Sequence, residues 1–283
     1  MKNLLKYANE ITADKSPATI TNYTHAVELF VKAVKVTAIE KITIDHARKF
    51  ATYLKKHTPT AATAKYYYNI TRSIFQQAAN EGIIDINPLA GIKPIKADSK
   101  PRAGVGREKA LTLEELELLR ATPAADNVVK RAFLFSVETG LRISDVEALQ
   151  YSDIKPVAGM LHIVKKCHKT GVILNVPLTP RALELINGGK GTGIIFALPT
   201  LKGGAVNRMH ILRTLKEWTK KAGVTKKVSF HTARHTFCTN VYNATGDILV
   251  TKELAGHSDI STTARYYAAV TNATLQRAMK ALF

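Results

Sequence analysis

Four short segments in the second half of the chain gather side chains able to handle an anionic oxygen. They are TGLRIS with Arg142, HKTG with Lys169, HTARHTF with His231 and Arg234, and AGHSDISTTARYY with His257, Tyr266 and Tyr267. Each puts a cationic or potentially cationic group at a turn or a helix start. His231 and Arg234 are three apart, hence on one helical face. A guanidinium there presents its planar fork to two phosphate oxygens. Arg142 follows Thr139-Gly140, where a helix turns sharply ahead of a cap at Ser144. Taken singly, each residue also has an ordinary use: a surface or ion-paired arginine, a solvated hairpin lysine, a helix-cap histidine, core aromatics. No P-loop, HExxH or GxSxG occurs and the acidic residues are scattered. Metal-dependent nuclease chemistry needs clustered carboxylates and finds little support.

Composition names the partner class. The 283 residues carry 41 Lys+Arg against 22 Asp+Glu, a net charge of +19. Such an excess suits a polyanion, because neutralising phosphates releases condensed counterions. Nucleic acid is the first expectation, against a solvated cationic surface or a membrane-facing one. Residues 1–100 hold 15 basic and 8 acidic residues, and residues 101–283 hold 26 and 14, so both halves are basic. Cys167 and Cys238 are the two cysteines, with no CxxC spacing, which suits a reducing cytoplasm. The apolar run in MKNLLKYANEI is too short for a secretory signal, and no apolar stretch approaches membrane-spanning length. A soluble cytoplasmic protein is expected.

The elements that must position these groups follow from periodicity. Ser16 and Pro17 open a helix with Ile20, Tyr23, Val27, Phe30, Val31 and Val34 on one stripe. TIDHARKFATYLKKH repeats the pattern, and TAKYYYNITRSIFQQAANEG ends on the cap glycine Gly82. Residues 1–92 thus predict a small helical domain. Residues 93–110, with prolines, glycines and six basic side chains, predict a cationic linker. Thr112 and Glu115 have capping-box spacing and open a second domain, 111–283. Within it NVVKRAFLFSVETG predicts a helix closed by Gly140, and Ser144 a cap for a short helix through DVEALQ. MLHIVKKCHKTGVILNVPL predicts two strands around HKTG, and PRALELI, NRMHILRTLKEWTKKAG, HTARHTFCTNVYNA and GDILVTKELAG predict helices. The fold class is mainly α (α+β), mostly helical with a small β-sheet.

Together, and in this order, the segments ETGLRISDVEAL, HKTGVILNVPL, FHTARHTFCT and LAGHSDISTTARYY resemble the tyrosine recombinase, or phage integrase, family. The resemblance runs across nearly all of 111–283. It is fainter before that, where EGIIDINPLAGIK looks like the exit from the family's core-binding, SAM-like domain. It implies that Arg142 and Arg234 are the two catalytic arginines, Lys169 the hairpin lysine, and His231 and His257 the histidines flanking the second arginine. Tyr266, nine residues after His257, is then the nucleophile, and Asp145, three after Arg142, a supporting acid. Ala255 stands where the family often has a larger aliphatic residue, and Tyr267 where a small or polar one is common.

The implied activity is site-specific DNA recombination in integration, excision or resolution, through a covalent 3′-phosphotyrosyl intermediate. Guanidiniums stabilise the charge that develops on the non-bridging oxygens without a metal. A free phenol has a pKa of about 10, so neighbouring positive charge or a base must help remove its proton. Lys169 serves as general acid for the leaving 5′-oxygen. The ester energy is conserved in the intermediate, so neither metal nor ATP is implied. The partners implied are double-stranded recombination sites, a homo-tetramer in the synaptic complex from protomers that are monomeric or weakly associated when free, and accessory DNA-bending proteins. Two basic domains joined by a basic strap are expected to grip the duplex from opposite faces, and NATLQRAMKALF could dock on a neighbouring protomer or on its own domain. A type IB topoisomerase-like relaxation enzyme and a DNA-binding regulator with a disabled site are the competing readings.

Overall fold

Asn3 starts the first helix. Its Oδ1 accepts the N–H groups of Leu5 and Lys6 at 3.0 and 3.2 Å, and Leu4, Tyr7 and Ala8 are buried along the seven-residue helix α1 (Leu4–Glu10) that follows. The sequence reading had no helix there, because seven residues are too few to establish a period. The structure, a computed structural model, describes residues 1–92, 109–167, 171–257, 259–260 and 263. The chain divides into two compact units, Met1–Lys100 and Pro101–Phe283.

In the amino-terminal unit Ser16 caps α2 (Pro17–Val34), which packs against α1, α3 (Ile44–His57) and α4 (Ala61–Asn80). Phe30 is the centre of its core, edge-on to Phe50 at 4.9 Å and tilted against Phe75 at 5.5 Å between ring centroids. Gly82 ends α4 as expected: its φ of 71° lets its own N–H reach Ala79 O at 3.1 Å and the Ile83 N–H reach Ala78 O at 2.9 Å, a Schellman closure.

The carboxyl-terminal unit is mainly helical with one small sheet. Thr112 and Glu115 form the expected capping box on α5 (Leu113–Ala121). Helix α6 (Asn127–Thr139) ends at Gly140 with φ 69°. The short helix α7 (Ile143–Glu147) differs from expectation: its N-cap is Arg142, without a side-chain cap bond, and Ser144 lies inside its first turn. The left-handed turn at Gly140 brings the chain back into helical geometry two residues earlier than a Ser144 cap requires. Three antiparallel strands follow in the order β1 (Ile154–Val157), β2 (Met160–Lys166), β3 (Ile173–Pro177). The β2–β3 hairpin was expected and β1 was not. Pro156 masks it in sequence but is tolerated on an edge strand, and Ala158-Gly159, both with positive φ, make the two-residue turn.

After α8 (Pro180–Glu184) come α9 (Arg208–Lys221), α10 (Phe230–Thr245) and α11 (Ile248–Ala255). Helix α6 packs on α8, α9 and α10, while α11 packs on α10 and β3. Phe133 of α6 meets Trp218 and Phe230 edge-on, each at 5.7 Å. Trp218 Nε1 is satisfied by Thr122 O at 2.9 Å. The expected linker and the carboxyl-terminal NATLQRAMKALF segment lie outside the described residues, except for Lys109 and Ala110. Ala110 is buried, and its carbonyl accepts from Lys226 Nζ at 2.7 Å.

Candidate active site

Ser229 and Thr232 cap α10 reciprocally, so His231 and Arg234 fall in its first turns on one face. Arg234 is 4% exposed, and its Nη1 donates to the carbonyl oxygen of Gly140 at 2.7 Å. That carbonyl lies at the carboxyl end of α6, where the helix dipole favours a cation. Gly140 is needed twice over. Its φ is positive, and a Cβ there would lie 2.3 Å from Phe237 Cδ1 of α10.

Arg142 is held by three neighbours. Its Nη1 is 3.9 Å from the buried carboxylate of Asp145 and 4.0 Å from Cys167 Sγ, and its Nη2 points to Gly256 O at 3.5 Å. Gly256 closes α11 with φ 61°, and a Cβ on it would meet Leu174 Cδ2 at 2.4 Å. Each arginine is therefore braced against the carbonyl of a helix-closing glycine from another motif. Arg142, Ser144, Arg208, Ser229, His231 and Arg234 share one cleft of about 410 Å³.

His257 follows Gly256 directly and is 9% exposed; its Nδ1 lies 2.7 Å from Thr263 Oγ1. Burial first, then the positive charges of Arg234 and Arg142, push its pKa down to about 3, so the ring is neutral near pH 7. His235 packs edge-on to His231 at 4.7 Å and is pushed down to about 4, by burial first and then by its cationic or ionisable neighbours His231, Lys109 and Arg234.

The structure thus brings Arg142, Asp145, His231, Arg234 and His257 into one region, while Lys169, Tyr266 and Tyr267 lie outside the described residues. Sequence reading missed Cys167, His235 and Thr263. The second histidine of HTARHTF was the available signal for His235; no local pattern marks the other two. In the amino-terminal unit Asn69, Arg72, Ser73, Gln76, Gln77 and Asn80 form an exposed polar strip along α4, with Gln76 Nε2 donating to Asn80 Oδ1 at 3.1 Å. Among the described residues no group of three His, Cys, Asp or Glu side chains is placed to hold a metal ion, and no helix is long and apolar enough to cross a membrane.

The family profile described as "Phage integrase family" matches residues 109–273, and that described as "Phage integrase SAM-like domain" matches residues 2–96. The chain belongs to the phage integrase family. Among curated relatives of the family, tyrosine recombinase XerD of Lacticaseibacillus casei is 29% identical over 226 residues, covering 76% of this chain and 75% of the relative. A lambda integrase dimer bound to a COC′ core site superposes with a TM-score of 0.70 at 21% identity, covering 95% of this chain and 96% of that one. The Tn1549 transposon integrase in complex with circular intermediate DNA gives a TM-score of 0.70 at 18% identity, covering 99% of both chains. At those identities the two structures show a shared fold, the mainly helical one described above.

Proposed function

We propose that this chain, a site-specific tyrosine recombinase that breaks and rejoins DNA, cuts each strand by attack of the Tyr266 phenolic oxygen on the scissile phosphorus. The P–O bond to Tyr266 forms as the P–O5′ bond breaks, leaving a 3′-phosphotyrosyl enzyme and a free 5′-hydroxyl. Arg142 and Arg234 neutralise the non-bridging oxygens, where negative charge builds up in the transition state. Lys169 gives its proton to the departing O5′, and His231 takes the phenol proton. His257, held neutral at about pKa 3, is too weak a base for that transfer and instead donates a hydrogen bond from its ring N–H. Asp145 fixes the Arg142 guanidinium.

The observation that carries this reading is the bracing of the two arginines. Arg234 on Gly140 O and Arg142 on Gly256 O hold two guanidiniums around one cleft with His231. Such fixed donors cost no reorganisation at the moment of reaction, which is why they stabilise a transition state better than mobile ones. The α4 strip, four amides and the Arg72 guanidinium with Ser73 among them and Glu81 at its end, suits base edges, which Asn, Gln and Arg read by paired hydrogen bonds. The excess of basic side chains supplies the phosphate contacts.

Rejoining reverses the same step with another strand's 5′-hydroxyl, so neither metal nor ATP enters. Four protomers act on two sites, assisted by DNA-bending proteins, in the cytoplasm at the nucleoid, and the chain serves a mobile element. Recombination is favoured over simple relaxation or a silent regulator because the curated relatives are recombinases and both family profiles match in order. The test is a site-containing duplex nicked so that the cut end diffuses away. Wild-type protein forms a covalent adduct on a denaturing gel and Tyr266→Phe does not; an adduct that persists in Tyr266→Phe contradicts the assignment.

A further inference from the structure

Thr263 is fully buried, and its hydroxyl oxygen sits 2.7 Å from Nδ1 of His257, six residues earlier. Both partners are buried, and the charges of Arg234 and Arg142 act on the same imidazole. In sequence Thr263 stands three residues before Tyr266.

We infer that Thr263 is a positioning residue that donates a hydrogen bond from its hydroxyl to His257 Nδ1 and so fixes the ring N–H on Nε2. This rests on the reading above, in which Tyr266 is the nucleophile. A neutral imidazole carries one N–H and one bare nitrogen, and the hydrogen bond made at one nitrogen decides which is which. With Nδ1 accepting from Thr263, Nε2–H is the donor, available to an anionic phosphate oxygen. With Nδ1–H donating instead, Nε2 would present a lone pair and repel that oxygen. One hydrogen bond therefore sets the sign of the interaction that His257 offers.

Two substitutions separate this role from packing. Thr263→Val keeps the volume and loses the hydroxyl; Thr263→Ser keeps the hydroxyl and loses the methyl. A packing role makes the serine variant the worse of the two, and a hydrogen-bonding role makes it the better. Single-turnover adduct formation on the nicked duplex is the readout, with gel-shift affinity and thermal melting measured beside it. Thr263→Val should form the adduct roughly 3–10-fold more slowly, the scale for losing one buried hydrogen bond, at unchanged DNA affinity. Thr263→Ser, which keeps that hydrogen bond, should form the adduct at close to the wild-type rate. A valine variant as fast as wild type, or a serine variant no faster than valine, overturns the inference. The ring-nitrogen NMR shifts of His257 in the wild-type protein give a reading that needs no variant: a proton on Nε2 supports it and a proton on Nδ1 overturns it. An adduct in Tyr266→Phe would instead contradict the nucleophile assignment, so the two failures are distinguishable.

Discussion

The carbonyl oxygen of Gly140 accepts a hydrogen bond from Arg234 Nη1 at 2.7 Å, across 94 residues of sequence. The glycine belongs to the motif that carries Arg142, and the arginine to the motif that carries His231. A backbone atom of one motif thus aims the side chain of the other, and Arg142 is aimed in the same manner by Gly256 O.

Gly140→Ala should therefore damage both fold and site. The backbone at φ 69° disfavours any Cβ, and this Cβ would collide with the Phe237 ring. The left-handed conformation costs about 1–2 kcal/mol and overpacking roughly 1–3 kcal/mol more. Thermal melting should show a fall of several degrees, and the adduct should form more slowly in the fraction that folds. An unchanged melting temperature would contradict the close approach of α10 to the end of α6.

Arg142→Lys and Arg234→Lys keep the charge but lose the fork. A lysine at 234 cannot hold Gly140 O and also present two donors to a phosphate. Each variant should bind DNA with nearly wild-type affinity and form adduct about 10²–10³-fold more slowly, the scale for removing one preorganised donor. Gel-shift and single-turnover measurements on the same preparations check the split.

Acid should destabilise the carboxyl-terminal unit. His257 and His235 titrate at about 3 and 4 in the fold, below the 6.5 of an unperturbed histidine. Unfolding therefore takes up protons once pH falls below about 6.5, so their contribution is intact above that value and shrinks as pH drops toward 4 and 3. Denaturant melts at pH 7.5 and 5.0 should show the lower midpoint at pH 5.0. In His235→Gln, with one such histidine removed, the difference should narrow.

On the α4 strip, Arg72→Ala should relax sequence preference. In the proposed reading Arg72 contacts a base edge, and loss of such a contact costs about 1–3 kcal/mol at one base pair. A selection from randomised duplexes should lose preference at one position while the salt dependence of binding changes little.

Most of this arrangement is local in its causes, and the local part is readable from sequence. Caps at Ser16, Thr112, Gly140 and Gly256 sit where residue type demands. The three-residue spacing of His231 and Arg234 puts both on one face before any coordinate is known. What sequence hid is of two kinds. Short elements such as α1 and β1 offer too few residues for a period, and β1 also contains Pro156. Long-range contacts leave no local trace: nothing beside Gly140 announces Arg234, and nothing beside Cys167 announces Arg142. Ser144 has the residue type of a cap, but its type does not reveal that the helix is already capped by Arg142.

Trapping the adduct on a nicked duplex, digesting protein and DNA, and sequencing the nucleotide-linked peptide by mass spectrometry tests directly whether Tyr266 carries the DNA. The account predicts a phosphonucleotide on Tyr266, with Tyr267 unmodified; a phosphonucleotide on Tyr267, or site-specific binding with no linked peptide at all, would contradict it.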